Sequence, residues 1–312
     1  MSEPPKDSNP ASGTPAAAPS SGKAAVFRAR TLSTVLLWAL VAAALWKGDG
    51  RIIGGMVILF GTAACWEYLA MLRADRLISR SLSIGTLIIG AGHLVTVTLV
   101  CLHDGGPAGF WVDSLTLCGA IVLSLSAVVL AFPLEERTLR ELAATILGIL
   151  YIPVLFAYAG RIYFIGHLPD VEASGIALLL YLILVTKTTD MGAYVVGTLI
   201  GKHKMIPRVS PGKTWEGFAG AVVITILMSA TIVLVAGEHL APLTLVDALI
   251  IGLILALFSV MGDLAASALK RCLGAKDSGH SLPGIGGILD LIDSLLFTAP
   301  ILYLYLLFAL KL

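Results

Sequence analysis

The sequence has few charged residues: Asp, Glu, Lys and Arg make up 13% of its 312 residues, against roughly a quarter in an average soluble domain. The two signs nearly cancel, with a formal net charge of +1, and this balance argues against a nucleic-acid partner. In place of charge the chain carries several apolar runs longer than about 18 residues, which is enough to span a bilayer. These features predict an all-α, polytopic integral membrane protein.

The chain also has little cysteine. Its four cysteines are scattered, and no CxxC or Cys/His ligand spacing occurs, which argues against a zinc site and a disulfide framework. A secretory signal peptide is not predicted either, because the first apolar run begins too late and is interpreted as a retained helix. Residues 1–24 are rich in Pro, Ser, Ala and Gly, a composition that predicts a disordered tail.

Nine runs of about 20 residues are candidate membrane helices. They cover approximately residues 31–46, 53–72, 81–102, 109–132, 139–165, 173–200, 216–237, 242–270 and 287–310. With the N-terminus in the cytoplasm, sixteen Lys and Arg residues face the cytoplasm and four face the other side, namely Lys47, Arg51, Arg161 and Lys311. Positive residues accumulate in cytoplasmic loops, so this orientation is the expected one. The polar loops 201–215 and 271–286 then both face the cytoplasm.

Several ionisable residues lie within these apolar runs, where each costs at least about 2.5 kcal/mol and therefore tends to line a polar cavity. Lys187 and Asp190 lie one turn apart on the sixth run. Asp263, Ser267 and Lys270 lie at i, i+4 and i+7 on the eighth, so they share one helix face. An intramembrane salt-bridge network is the alternative that these residues leave open.

The last run begins with two more aspartates, Asp290 and Asp293, at i and i+3, where the helix dipole favours anionic groups. Together with Asp263 they exceed what one nearby lysine can neutralise, which favours a divalent cation. Hard oxygen ligands without His or Cys select Mg²⁺ or a similar ion. Because Mg²⁺ usually bridges to phosphates, the pattern points to a nucleotide or phosphate substrate.

The two polar loops are expected to contact phosphate. The sequence PGIGG at 283–287 allows close backbone approach and offers N–H groups to an anion. The sequence SPGKTWEG at 210–217 supplies Lys213 with the hydroxyls of Ser210 and Thr214. It lacks the GxxxxGK[ST] spacing and a preceding strand, so it is not a Walker A motif.

Three further polar residues are expected to have structural roles. Glu67 and Asp247 lie near helix ends and are interpreted as interfacial carboxylates. His93 stands alone on an apolar helix and is interpreted as a packed, hydrogen-bonded side chain.

Two long motifs resemble those of the phosphatidate cytidylyltransferases, or CDP-diacylglycerol synthases. Residues 267–293 contain SALKR, KDSG and PGIGGILDLID, and residues 189–217 read TDMGAYVVGTLIGKHKMIPRVSPGKTWEG. The resemblance covers roughly residues 140–300. It implies transfer of the cytidylyl group of CTP to phosphatidate, giving CDP-diacylglycerol and pyrophosphate, with Mg²⁺ as cofactor and a second cation left open.

The resemblance also implies roles for individual residues. Asp263, Asp290 and Asp293 would surround the metal, and Ser267 and Lys270 would line the same catalytic pocket. The residues expected to bind substrate are Asp190, Ser210, Lys213, Thr214, Arg271, Lys276 and Asp277. Expected partners are CTP, phosphatidate and the bilayer of the inner (plasma) membrane, with a homodimer left open. The corresponding organisation is a tail over 1–24, N-terminal transmembrane helices over 25–138 and a C-terminal catalytic transmembrane region over 139–312.

Two positions depart from the family pattern. Ile285 stands where the pattern has histidine, and Leu291 stands where it has arginine, so the expected site lacks one titratable group and one fixed cation. These two positions keep open a catalytically degenerate homologue that binds CTP or lipid without turnover. Two further alternatives are a CTP-dependent lipid kinase that transfers the γ-phosphate to a lipid alcohol, and a transporter. The inverted repeats typical of transporters are not evident in the sequence.

Overall fold

The structure is a computed structural model that describes residues 35–36, 38–131, 135–279, 281 and 286–310. The predicted tail and the loop positions 282–285, including Ile285, lie outside these residues. The described helices are α1 Trp38–Lys47, α2 Gly50–Ala74, α3 Arg80–Asp104, α4 Trp111–Ala131, α5 Glu136–Ile149, α6 Leu155–Ile165, α7 Gly175–Ile200, α8 Trp215–Ala236, α9 Leu245–Cys272 and α10 Ile288–Leu310. A π-helical turn, Leu150–Val154, joins α5 to α6, and a 3₁₀ turn, Gly237–Leu240, follows α8.

Seven helices within the described ranges are long and apolar enough to cross a membrane. They are Gly50–Ala74, Arg80–Asp104, Glu136–Ile165, Gly175–Ile200, Trp215–Leu240, Leu245–Cys272 and Ile288–Ala309. The first and fourth predicted runs correspond to shorter apolar helices, Trp38–Lys47 and Trp111–Ser126. The helical, polytopic membrane architecture predicted from the apolar runs agrees with this arrangement, whereas a count of nine crossings stays a prediction.

A short antiparallel hairpin interrupts the helical fold between α7 and α8. Strand β1, Lys204–Ile206, pairs with β2, Ser210–Thr214, and Lys204 lies opposite Thr214. The sequence analysis expected a polar loop without a preceding strand here, which is wrong because β1 precedes Ser210. Strands of three and five residues are too short to produce a recognisable alternation. The strand β2 runs directly into α8, whose first turn is capped by the Thr214 hydroxyl accepting from the Gly217 N–H at 3.2 Å. This junction fixes the position of Lys213.

The hydrophobic core forms where α2, α6, α7 and α10 pack together. Its fully buried members include Leu69, Ile162, Leu182 and Leu296. Because these helices come from both halves of the chain, the N-terminal helices form part of the same core as the C-terminal ones. The polar ends of α2, α7, α9 and α10 are thereby brought to one end of the bundle.

Arg161 contradicts one part of the topology count. It was placed among the positive residues outside the membrane, but it lies in α6 with no solvent exposure. Its two terminal nitrogens donate to both carboxylate oxygens of Asp113, at 2.9 and 3.0 Å, and Asp113 also accepts from the Tyr158 hydroxyl at 3.1 Å. The neighbouring carboxylate allows the guanidinium to be buried. Without Arg161, the positive residues counted on the non-cytoplasmic side are Lys47, Arg51 and Lys311.

The structural roles predicted for His93 and Asp247 are confirmed. His93 is buried, and its Nδ1 lies 2.9 Å from the Thr116 hydroxyl in a hydrogen bond. Asp247 forms a capping box with Thr244 at the start of α9, accepting from the Thr244 backbone N–H at 2.8 Å. Neither residue is near the polar cluster described below.

Candidate active site

Three lysine–aspartate ion pairs lie where α7, α9 and α10 meet. They are Lys187–Asp190 at 3.1 Å, Lys213–Asp263 at 2.7 Å and Lys270–Asp290. The first pair is within α7, the second joins β2 to α9, and the third joins α9 to α10. Of the four aspartates Asp190, Asp263, Asp290 and Asp293, three are therefore matched by a lysine.

The exception is Asp293 on α10. Its side chain is buried, and no lysine or arginine of the described ranges lies within ion-pair distance of it. It accepts from the Ser294 backbone N–H at 2.7 Å and from the Ser294 hydroxyl at 3.3 Å. The charges that act on it are those of Asp263, of Lys187, which is not within ion-pair distance, and of Asp190. A buried carboxylate without a cation is costly, so this is the position at which an additional cation is most favoured.

The predicted stripe on α9 is confirmed as a shared face. The Ser267 hydroxyl donates to Asp263 Oδ1 at 3.4 Å, and Lys270 one turn later reaches Asp290 across the helix interface. Asp190 joins the same cluster, because the Ser294 hydroxyl donates to its Oδ1 at 3.1 Å and the Ser259 hydroxyl at 3.3 Å. Asp190, which the resemblance implied as a substrate-binding residue, thus lies beside the carboxylates of α9 and α10.

Asp290 holds the loop that precedes α10. Its Oδ2 accepts from both the backbone N–H and the hydroxyl of Ser278, each at 2.9 Å, and from the Gly287 N–H at 3.1 Å. Its Oδ1 is engaged by Lys270. Most of its lone pairs are therefore used within the protein, and a role as metal ligand stays a prediction.

Glu67 is the site residue that sequence reasoning missed. Its carboxylate is 3% exposed and accepts from the backbone N–H groups of Ile288 and Leu289, both at 2.9 Å. It also lies 3.1 Å from the Ser278 hydroxyl, whose one proton it shares with Asp290. It therefore caps the first turn of α10 from a different helix. The interfacial interpretation was wrong, and the available signal was its distance of about one and a half turns from the end of its apolar run.

The glycines of the loop are required by these carboxylates. A Cβ added at Gly287 would lie 2.0 Å from Ser278 Oγ and 2.4 Å from Glu67 Oε2, and one at Gly279 would lie 2.9 Å from Glu67 Oε1. Gly286 has φ of +120°, which disfavours any side chain. The sequence analysis predicted that the backbone of this loop approaches a ligand closely. In the described part of the loop, the backbone instead approaches the carboxylates of Glu67 and Asp290 closely.

The remaining predicted substrate-binding residues are at the edge of the cluster. Ser210 begins β2 and Thr214 is buried as the α8 cap. Arg271 donates to the carbonyls of Val209 and Ala275, at 3.4 and 3.0 Å, and so links the hairpin to the end of α9. Lys276 and Asp277 are exposed on the loop. Their contacts with substrate stay predictions.

The carboxylates of the cluster suit a Mg²⁺ ion that takes only one or two protein ligands. They do not form a site in which the protein alone surrounds the ion. Within the described residues, no three His, Cys, Asp or Glu side chains are grouped to hold a metal ion. Mg²⁺ commonly takes one or two carboxylates and completes its coordination with waters and substrate phosphates. Asp293 and Asp263 provide oxygen donors of this kind, and Asp293 lacks a lysine partner among the described residues.

An apolar cavity of about 110 Å³ adjoins the cluster. Helices α1, α2, α6, α7 and α10 line it, and Lys187 is the charged residue among the described lining residues. Leu291 and Ile292, which lie between Asp290 and Asp293 on α10, form part of its wall. The position at which the family pattern has arginine is therefore apolar wall in this protein.

Comparisons with known proteins place this chain in a family. Residues 28–309 match the model of the Cytidylyltransferase family. The chain is 32% identical over 282 residues to a phosphatidate cytidylyltransferase of Staphylococcus saprophyticus, covering 89% of this chain and 98% of that protein. It is 41% identical over 187 residues to a phosphatidate cytidylyltransferase of Bacillus subtilis, covering 60% and 65% of the two chains. An uncharacterized Escherichia coli protein, YnbB, is 39% identical over 191 residues, 61% of each chain. The chain belongs to the cytidylyltransferase family.

Proposed function

We propose that this protein is a nucleotidyltransferase that transfers the cytidylyl group of CTP to phosphatidate, forming CDP-diacylglycerol and pyrophosphate for phospholipid synthesis. Membership of the cytidylyltransferase family and the names of its relatives support this activity. The observation that carries this proposal is that the lysine–aspartate cluster adjoins an apolar cavity. Lys187 belongs to the cluster and also lines the cavity. Such a junction suits a substrate with an anionic head and hydrocarbon tails.

The residues of the cluster suit phosphoryl chemistry that needs no strong base. The phosphate oxygen of phosphatidate is already a nucleophile, so the protein has to align it with the α-phosphorus of CTP and relieve the repulsion between two anions. Lys213 and Lys270 are held on neighbouring elements and supply positive charge at the mouth of the site. Mg²⁺ bound by Asp293 and Asp263 would supply further charge neutralisation for the phosphates. A second cation and a homodimer stay predictions.

The lipid substrate fits the side of the site where the apolar cavity begins. Lys187 would face the phosphate of phosphatidate, and the cavity beyond it would receive part of an acyl chain. Leu291 suits this arrangement, because an arginine in its place would put a second cation into an apolar wall.

The expected orientation places the N-terminus and this site on the cytoplasmic side of the inner membrane. The distribution of positive residues supports it, and removing Arg161 from the opposite-side count strengthens the bias. CTP would enter from the cytoplasm, and phosphatidate would enter laterally from the bilayer.

Product analysis with purified protein tests the proposed function. With CTP, phosphatidate and Mg²⁺ we expect CDP-diacylglycerol and pyrophosphate in equal amounts, with turnover abolished by EDTA and restored by Mg²⁺. Release of CDP would favour the lipid kinase. Binding of CTP without turnover would favour the degenerate homologue, and turnover unaffected by EDTA would contradict the metal assignment.

Filling the apolar cavity is expected to weaken binding of long-chain lipid. Ile183 lines the cavity from α7, and Ile183→Trp should raise the KM for dioleoyl phosphatidate about tenfold, the equivalent of burying roughly two fewer methylenes. The KM for CTP should not change, and that for dioctanoyl phosphatidate should change less. Leu184→Trp, at an exposed position on the same helix, is the matched control. An equal increase for both lipids would contradict the cavity's role.

A further inference from the structure

The π-helical turn between α5 and α6 carries a buried tyrosine whose hydroxyl has no assigned role. Tyr151 is 9% exposed, and its hydroxyl is one of four buried side-chain polar atoms without a hydrogen-bond partner in the described part of the chain. Buried hydroxyls are normally paired, so an unpaired one requires an explanation. Widened turns of this kind occur frequently at functional sites.

The surroundings of Tyr151 place its hydroxyl against the candidate active site. Its ring packs edge-on against Phe297 of α10, with ring centroids 6.4 Å apart, one turn after Asp293. The aspartate charges that act on the hydroxyl are those of Asp293, Asp263 and Asp290. None of the three accepts a hydrogen bond from it, although all are strong acceptors. The hydroxyl is therefore buried beside Phe297, within the influence of these carboxylates but not bonded to them.

The turn that holds Tyr151 is fixed by its neighbours. Pro153 lies inside the turn and has no N–H to place in a regular helix, so the wider π geometry accommodates it. Pro153 also packs closely on Gly90 of α3, where an added Cβ would lie 2.7 Å from Pro153 Cγ. This packing anchors the turn that carries Tyr151 against α3.

We propose that the Tyr151 hydroxyl donates a hydrogen bond to a phosphate oxygen of the bound substrate. This inference rests on the proposed function, since it supposes that a phosphate occupies the space between Tyr151 and the aspartates. Phosphate oxygens of CTP and of phosphatidate are equivalent acceptors, so either substrate can supply the partner. No proton is transferred; the hydroxyl orients the phosphate and remains protonated.

Tyr151→Phe tests this role because it keeps the ring and removes only the unpaired oxygen. We expect the thermal unfolding temperature to stay the same or rise, while kcat/KM falls at least about tenfold, as for loss of a hydrogen bond to a charged group. The Kd values for CTP and for dioctanoyl phosphatidate show which substrate weakens. Tyr158→Phe is the contrasting control: it removes a hydroxyl bonded to Asp113 and should lower stability with kcat/KM unchanged.

Each outcome decides the inference. If Tyr151→Phe lowers stability but leaves kcat/KM and both Kd values unchanged, the hydroxyl is structural and the inference is overturned. Unchanged stability with unchanged kcat/KM and Kd overturns it as well. A wild-type protein that forms no CDP-diacylglycerol overturns the proposed function, and the two Kd values still decide whether Tyr151 contacts a phosphate. A wild-type protein that binds neither substrate overturns both.

Discussion

Asp293→Asn is expected to lower kcat for CDP-diacylglycerol formation by roughly 10³-fold, about 4 kcal/mol of transition-state stabilisation, without lowering stability. The asparagine can retain the hydrogen bond from the Ser294 N–H and removes a buried negative charge that has no lysine partner in the described ranges. Eliminating such a charge relieves a desolvation cost. The same charge would hold the cation that neutralises the reacting phosphates. Activity and stability should therefore change in opposite directions.

Steady-state kinetics and thermal unfolding of the same preparation check this result. Asp75→Asn, at an exposed position at the end of α2, is the matched control and should change neither quantity. A variant that unfolds at markedly lower temperature would show that the Asp293 charge stabilises the fold. A variant with near wild-type kcat would remove Asp293 from the metal site.

Glu67→Ala is expected to lower both stability and activity. Its carboxylate accepts two backbone hydrogen bonds from the start of α10 and shares the Ser278 hydroxyl proton with Asp290. Hydrogen bonds to a charged group are worth about 1.5–3 kcal/mol each. We expect a loss of at least about 3 kcal/mol in the free energy of unfolding. Because the same contacts fix the loop that holds Asp290, kcat/KM should fall at least about 10²-fold from mispositioning.

Denaturant unfolding and kinetics measured on the folded fraction separate the two effects of Glu67. Glu67→Gln keeps one acceptor oxygen and should give intermediate losses, whereas Glu172→Ala, at an exposed position, should have no effect. Full kcat/KM in folded Glu67→Ala would show that α10 finds its position without the cap.

The parts of the site that follow from helical periodicity could be predicted from the sequence. Asp263, Ser267 and Lys270 share a face because they lie on one helix at fixed spacing, and Asp290 and Asp293 lie in the first turns of α10 for the same reason. Their identity as hard oxygen donors also follows from residue type. The local contacts of α9 and α10 therefore needed no knowledge of tertiary structure.

Contacts between distant segments could not be predicted in this way. Glu67 binds residues more than 200 positions away, and Arg161 meets Asp113 on another helix, so no spacing rule connects them. The unusual position of Tyr151 depends on a π turn that the apolar run of α5 and α6 conceals. Each of these residues is polar and flanked by apolar sequence. A polar residue isolated within an apolar run was therefore the signal that the sequence offered.

The position of the label transferred from CTP tests the central claim most directly. Purified protein in phosphatidate-containing vesicles with Mg²⁺ should transfer ³²P from the α-position of CTP into lipid and release γ-labelled phosphate as pyrophosphate, and Asp293→Asn should do neither. Label from the γ-position in the lipid, or no label in the lipid from either position, would contradict a cytidylyltransferase.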